Sequence, residues 1–221
     1  MIKGYWSMLL LGIVALVQLQ MAHAGAIDEA VRRGVLKVGT DPNYVPFELT
    51  DKQGRVIGFE ADLLEEMGKA LGVTLEWVPV AYTELIPGLL AGRFDLIGSG
   101  MTVTQERNLK LNFSDSFIIV GQTVLLHPRL AGKVSSIEDL NEAGYRIAAA
   151  DGTTGEVAAR RFLGAAQLQS VATAEEGVRQ VVSGGVDAFI HDAPYNLIAL
   201  AKPQNRKLLA LEQPFTYEPL A

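Results

Sequence analysis

Phe94-Asp-Leu-Ile-Gly-Ser-Gly-Met-Thr-Val-Thr-Gln-Glu-Arg107 reads as a single strand-to-helix junction. Phe94 to Ile97 is the apolar strand signal, and the residues after Thr104 open a helix. Between them lie free backbone N–H groups, two threonine hydroxyls and, one turn on, Arg107. An arginine fork matches a carboxylate bidentately, and unpaired N–H groups at a helix start attract an anion, so the stretch has the makings of a carboxylate trap. The same residues also read as an ordinary junction, with Thr104 as N-cap and Arg107 as a surface charge.

Outward from this stretch the chain alternates short β-like runs with helix-like periodicity. On the N-terminal side, Val35 to Gly39 and Leu75 to Val78 are strands. Phe59, Leu63, Leu64, Met67, Ala70 and Leu71 recur at helical spacing and stop at Gly72. Thr83 is expected to cap a helix carrying Leu85, Ile86, Leu89 and Leu90, with Pro87 in its first turn. On the C-terminal side a second series begins with the extended run Thr123 to Leu126 and the short helix Ile137 to Leu140. It continues with strands at Tyr145 to Ala149, Leu168 to Val171 and Ala188 to Ile190, each followed by a helix. Repeated βα units predict largely parallel sheets covered by helices, with ligands held at the carboxyl ends of strands.

Composition narrows the chemistry. The 221 residues are 49% hydrophobic, enough for one large domain or two small lobes. The sequence has no cysteine, which excludes a disulfide framework, a thiolate metal site and a cysteine nucleophile. With only three histidines a histidine-rich metal centre is disfavoured, no cofactor is expected, and a net charge of −6 argues against nucleic acid as a partner. Lys3, the apolar run Met8 to Val17 and Ala22-His-Ala24 read as a signal peptide over residues 1–24, cleaved on export to the periplasm.

Three further clusters sit at predicted strand ends. Asp41-Pro-Asn-Tyr-Val-Pro-Phe-Glu48 puts an aromatic ring and a carboxylate on a proline-stiffened loop. There Tyr44 covers a ligand's apolar stem while Asp41 accepts from its tip, or else Tyr44 and Phe47 are tucked into the core. Gly152-Thr-Thr-Gly155 opens a helix, so the hydroxyls and N–H groups of Thr153 and Thr154 suit an anion; without a following lysine it is not a P-loop. Asp192 ends a strand and either pairs with an ammonium or caps the next helix.

In order and spacing these motifs resemble family 3 extracellular solute-binding proteins, the polar amino-acid receptors of ABC importers. The resemblance rests on Gly39 to Glu48, Gly58-Phe-Glu-Ala-Asp-Leu63, Ile86-Pro87, Gly98 to Arg107, Phe113-Ser-Asp115, Gly152 to Glu156 and Asp187 to Asp192. It implies an α/β type II periplasmic-binding-protein fold, two lobes around a ligand cleft. Residues 25–120 would begin lobe 1, 121–212 would form the inserted lobe 2, and 213–221 would return through a second hinge strand. It further implies that Arg107 holds an α-carboxylate, helped by Thr102, Thr153 and Thr154. Asp192 and the carbonyl of Gly100, beside Ser99, would hold the α-ammonium. Tyr44 and Tyr82 would sandwich the ligand and Asp41 would meet its side-chain tip. The expected partners are an amino acid and an ABC permease, and the expected state is a monomer.

Two departures qualify the resemblance. Ala148-Ala-Ala150 stands where some glutamine-binding relatives carry a lysine, and Pro214 to Ala221 is not followed by the lysine-glycine turn and closing helices usual in the family. The expected result is apolar surface left open on lobe 1. The same scaffold also admits a cyclohexadienyl-dehydratase-like enzyme, with Glu156 or His191 as acid or base, or a sensor module cut from a membrane receptor.

Overall fold

The computed structural model describes residues 25–221, so the expected signal peptide lies outside the described residues. Two α/β units are built in sequence. The first contains helix α1 (Ala26–Arg33), strand β1 (Val35–Thr40), and a small antiparallel sheet of β2 (Asn43–Tyr44), β3 (Glu48–Thr50) and β4 (Val56–Ile57). Helix α2 (Phe59–Leu71), strand β5 (Thr74–Pro79), helix α3 (Tyr82–Leu90), strand β6 (Leu96–Ile97) and the single turn α4 (Gln105–Asn108) follow. Strands β5, β1 and β6 form a parallel sheet in that order. Helix α2 ends where its periodicity stops, at Gly72 with φ +70°, a left-handed position that suits glycine.

Strand β7 (Ile118–Val120) leads across to the second unit through β8 (Gln122–Leu126). There β9 (Arg146–Ala150), α5 (Thr154–Phe162), β10 (Gln167–Val171), α6 (Ala174–Ser183), β11 (Ala188–Asp192), α7 (Ala193–Ala201) and β12 (Leu209–Leu211) complete a five-stranded sheet. Its order is β10-β9-β11-β8-β12, with β10, β9 and β11 parallel, β8 reversed between its two neighbours, and β12 running in the same direction as β11. Alternate residues face opposite layers, so Ile147 and Ala149 join one buried cluster while Ala148 joins the other with Phe189.

The chain returns as β13 (Glu218–Leu220), which pairs antiparallel with β7 and bridges Thr102 through Leu220. Two strands therefore cross between the units side by side. Gly121 makes this possible, because a Cβ there would lie 2.5 Å from the Thr216 carbonyl oxygen.

Some local expectations shift. Helix α3 begins at Tyr82 with Ala81 at its N-cap, not at a Thr83 cap. The Tyr82 N–H is met from another strand end, by the Asp41 carboxylate at 3.1 Å. Pro87 thus falls in the second turn rather than the first. Thr104 does cap α4, its hydroxyl accepting the Arg107 N–H at 3.1 Å. The first unit also carries an open apolar groove, lined by residues such as Leu63, Leu64, Met67, Leu89, Leu90 and Phe113. No helix among the described residues is long and apolar enough to cross a membrane.

Candidate functional site

The carboxyl ends of β1, β6, β9, β10 and β11 converge on one cavity between the two sheets. From the first unit come Asp41, Asn43, Tyr44, Tyr82, Ser99, Gly100 and Thr102. The second unit adds Gln122, Asp151, Thr153, Thr154, Thr173, His191 and Asp192. Every site residue expected from sequence lies on this wall except Arg107, which sits just behind it.

Arg107 is 9% exposed, and its guanidinium spans the two units. One Nη donates to the Thr102 carbonyl at 2.9 Å and the other to the Gly152 carbonyl at 3.1 Å. Its carbon lies 5.8 Å from the centre of the Tyr82 ring, within cation–π range. The surface-charge reading of Arg107 is therefore excluded. Tyr82 acts as a shelf under the guanidinium.

Asp192 sits at the end of β11 and is 7% exposed. It precedes α7, but its side chain makes no capping bond. Instead one oxygen accepts from the Tyr44 hydroxyl and the other from Gln122 Nε2 at 2.6 Å. Burial pushes its carboxyl up to about 6, against the opposing pull of the Tyr44 and Gln122 bonds and the Arg107 charge. The Tyr44 bond is a second link between the units. A third is the approach of the Thr102 and Thr154 hydroxyls to 3.4 Å.

The loop after β1 divides between the two readings given above. Phe47 is core, 2% exposed, whereas Tyr44 reaches the cavity and packs its ring against His191 at 5.5 Å between centres. Gly100 permits that approach: its φ is +51°, and a Cβ there would lie 2.4 Å from the Tyr44 ring. Asp41 faces the cavity with both oxygens already engaged, by Asn43 at 2.6 Å and by the Tyr82 N–H. Thr153 spends its hydroxyl on the start of α5, donating to the Ala150 carbonyl at 2.7 Å and accepting from the Glu156 N–H. That leaves Thr154, next to Gln122 Nε2 at 3.3 Å, as the freer hydroxyl.

Sequence reasoning did not assign Gln122, Asn43, Asp151 or Thr173 to the site. Gln122 is 2% exposed on the first residue after the crossing, and its Oε1 has no partner. Its position follows from the crossing of the strands, which is invisible in local sequence. The charge of the wall is one-sided: Asp41, Asp151 and Asp192 line it, and among the described residues no lysine or arginine does.

The two candidate acid–base groups are both otherwise occupied. Burial opposes ionisation of Glu156, but bonds from Ser170, Arg160 and the Gly152 N–H outweigh it and hold the carboxyl below its ordinary range. Burial drives the His191 imidazole down to about 3, so it is neutral, and its Nδ1 accepts the Asp192 N–H at 2.8 Å.

Against known proteins, residues 36–210 match the model of the bacterial extracellular solute-binding proteins, family 3. A curated relative from Neisseria gonorrhoeae, described as a "Probable histidine-binding protein", is 30% identical over 72% of this chain and 59% of its own length. The chain thus spans about three fifths of that relative. The crystal structure of the ancestral amino acid-binding protein AncCDT-1, a precursor of cyclohexadienyl dehydratase, superposes with a TM-score of 0.81 at 40% identity, over 89% of this chain and 84% of that one. A "putative binding component of ABC transporter" from Wolinella succinogenes, complexed with lysine, gives 0.80 at 44% identity, over 85% and 81%.

Proposed function

The chain belongs to the bacterial extracellular solute-binding proteins, family 3, and from that premise we propose that it captures a cationic L-amino acid outside the cytoplasm and hands it to an ABC importer. Its two α/β units with paired crossing strands form the type II periplasmic-binding-protein fold. One observation carries the choice of ligand: among the described residues the cavity wall bears three carboxylates, a neutral His191 and no lysine or arginine, with Arg107 at its back. A zwitterion needs one cationic and one anionic partner, each desolvated and hydrogen-bonded. Arg107 takes the α-carboxylate, which replaces the Gly152 carbonyl on its fork and gains the Thr154 hydroxyl. Asp192 takes the α-ammonium. Asp41 and Asp151 then remain to attract a side-chain cation, between the faces of Tyr44 and Tyr82.

The lysine bound by the Wolinella relative and the histidine in the Neisseria relative's description accord with this choice. Catalysis on the same scaffold finds no support in the two candidate groups. Glu156 is tied down by three donors, and a neutral His191 whose Nδ1 is already accepting is neither a ready acid nor a free base there. Calorimetric titration with lysine, arginine, histidine, glutamine and glutamate tests the proposal. Tightest binding of a basic amino acid is expected; a preference for glutamate, or no heat with any of them, overturns it.

A further inference from the structure

Behind the Ser99–Gly100 wall of the cavity lie two carboxyl groups to which the reading above gives no part. Glu48, on β3, is fully buried and Glu60, in the first turn of α2, is 4% exposed. Glu48 Oε1 accepts from the Ser99 hydroxyl at 3.0 Å, and the same hydroxyl oxygen accepts the Asp41 N–H at 2.9 Å. Glu60 Oε2 accepts the Gly100 N–H at 2.6 Å. No cation is among these partners, and Glu48 Oε2 is buried with no N–H or O–H donor to accept from. Two ionised carboxylates side by side in that setting would be repelled and incompletely solvated. One proton relieves the repulsion and supplies a donor, because the two side chains are hydrogen-bond partners and a protonated Glu48 donates to Glu60.

We propose that Glu48, protonated, and Glu60, ionised, form a one-proton positioning pair that fixes the Ser99–Gly100 peptide for the ligand's ammonium; this rests on the amino-acid reading above. A trans peptide carries its N–H and C=O on opposite edges. Anchoring the Gly100 N–H on a charged acceptor therefore turns the Ser99 carbonyl away from Glu60 and leaves it, in place of the Gly100 carbonyl expected from the resemblance, for a donor in the cavity that both residues line. The charge balance points the same way: burial, then the Glu60 charge, hold the Glu48 carboxyl well above its ordinary range. Burial raises Glu60 as well, but the Gly100 N–H and Glu48 bonds favour its charged form. Asp41, Tyr44 and Tyr82 face the pair from the cavity side, and of these the Asp41 charge adds to the pressure that keeps Glu48 neutral. Asp95, Lys110 and Asp115 line the apolar groove on the other side of Glu60.

Two measurements separate this pair from the function reading. Above the ordinary carboxyl range an unfolded Glu48 ionises while the folded one keeps its proton, so the parent loses stability as pH rises. Glu48→Gln carries a permanent N–H at the protonated oxygen and lacks this loss. Its melting temperature relative to the parent should climb by at least about 5 °C between pH 5 and pH 8; a flat difference overturns the proton assignment. With L-lysine as the probe in calorimetry, Glu60→Ala should weaken binding at least tenfold and Glu60→Gln should recover most of it. An alanine variant that folds and binds like the parent overturns the positioning role. No heat from the parent overturns the choice of ligand instead, while the melting difference still decides the pair.

Discussion

Replacing Asp192 with asparagine should strengthen the empty protein and cripple the loaded one. The carboxyl is buried, and its rise from 3.8 to about 6 corresponds to on the order of 3 kcal/mol of folding free energy, spent at pH 7 on keeping a charge out of water. The sign follows from proton binding. Between those two values the folded state holds a proton that the unfolded state has released, so stability falls as pH rises through the window and stays low above it. Asparagine has no such window. It still accepts from Tyr44, and its new N–H meets Gln122 Oε1, now unpartnered, once that amide turns over. For a chain of this size the gain is about 5 °C or more in melting temperature at pH 7, vanishing near pH 4. Ligand affinity moves the other way. Loss of the charged partner of a desolvated ammonium costs about 2–5 kcal/mol, or roughly thirtyfold to several thousandfold in Kd. Scanning calorimetry from pH 4 to pH 8 and titration with lysine read the two effects separately. Binding within twofold of the parent, or a melting temperature that does not rise at pH 7, would refute the reasoning.

Arg107→Ala should cost a similar amount, about 2–5 kcal/mol in binding, measured by the same titration, because it removes the cationic partner proposed for the α-carboxylate. Gly100→Ala places a Cβ where the Tyr44 ring stands and forces a left-handed φ on alanine, so it should lower affinity at least tenfold while melting shifts by only a few degrees. In hydrogen exchange, amides of β1 and β5 should exchange faster than those of β9 and β11. Their three-stranded sheet borders an open apolar groove, whereas the five-stranded sheet is packed on both faces; equal protection would count against that difference.

What could be read in advance was whatever the strand ends hold locally. Thr102, Thr153, Thr154 and Asp192 each follow a β-like run and precede a helical one, so the rule that ligands meet the carboxyl ends of strands was enough to gather them. The second unit was legible for the same reason, since its strands and helices alternate in units long enough to show their period. Contacts made across the fold were not. Helix α3 starts one residue before the threonine that looked like its cap because Asp41, far off in sequence, supplies the acceptor. Gln122 reaches Asp192 only because β8 pairs with β11, and the short strands β2, β3 and β4 carry too few residues for any periodicity. Nothing in the linear sequence pairs Glu48 with Glu60. Only the folded chain turns both inward onto one loop.

The three bonds described between the units all draw on groups that the proposed function assigns to the amino acid: Arg107 on the Gly152 carbonyl, Tyr44 on Asp192, and Thr102 beside Thr154. The chain therefore carries its own competitor. A tethered carbonyl and hydroxyl occupy the fork and the carboxylate at a high effective concentration, and an incoming solute has to win both places from them. On that reading the affinity for a solute is what its own contacts gain over the contacts it displaces, and the strength of the self-made bonds sets how much free solute is needed to break them. Evolution can retune such a receptor to richer or poorer surroundings by adjusting the Gly152 turn, without altering a single atom that recognises the side chain of its cargo.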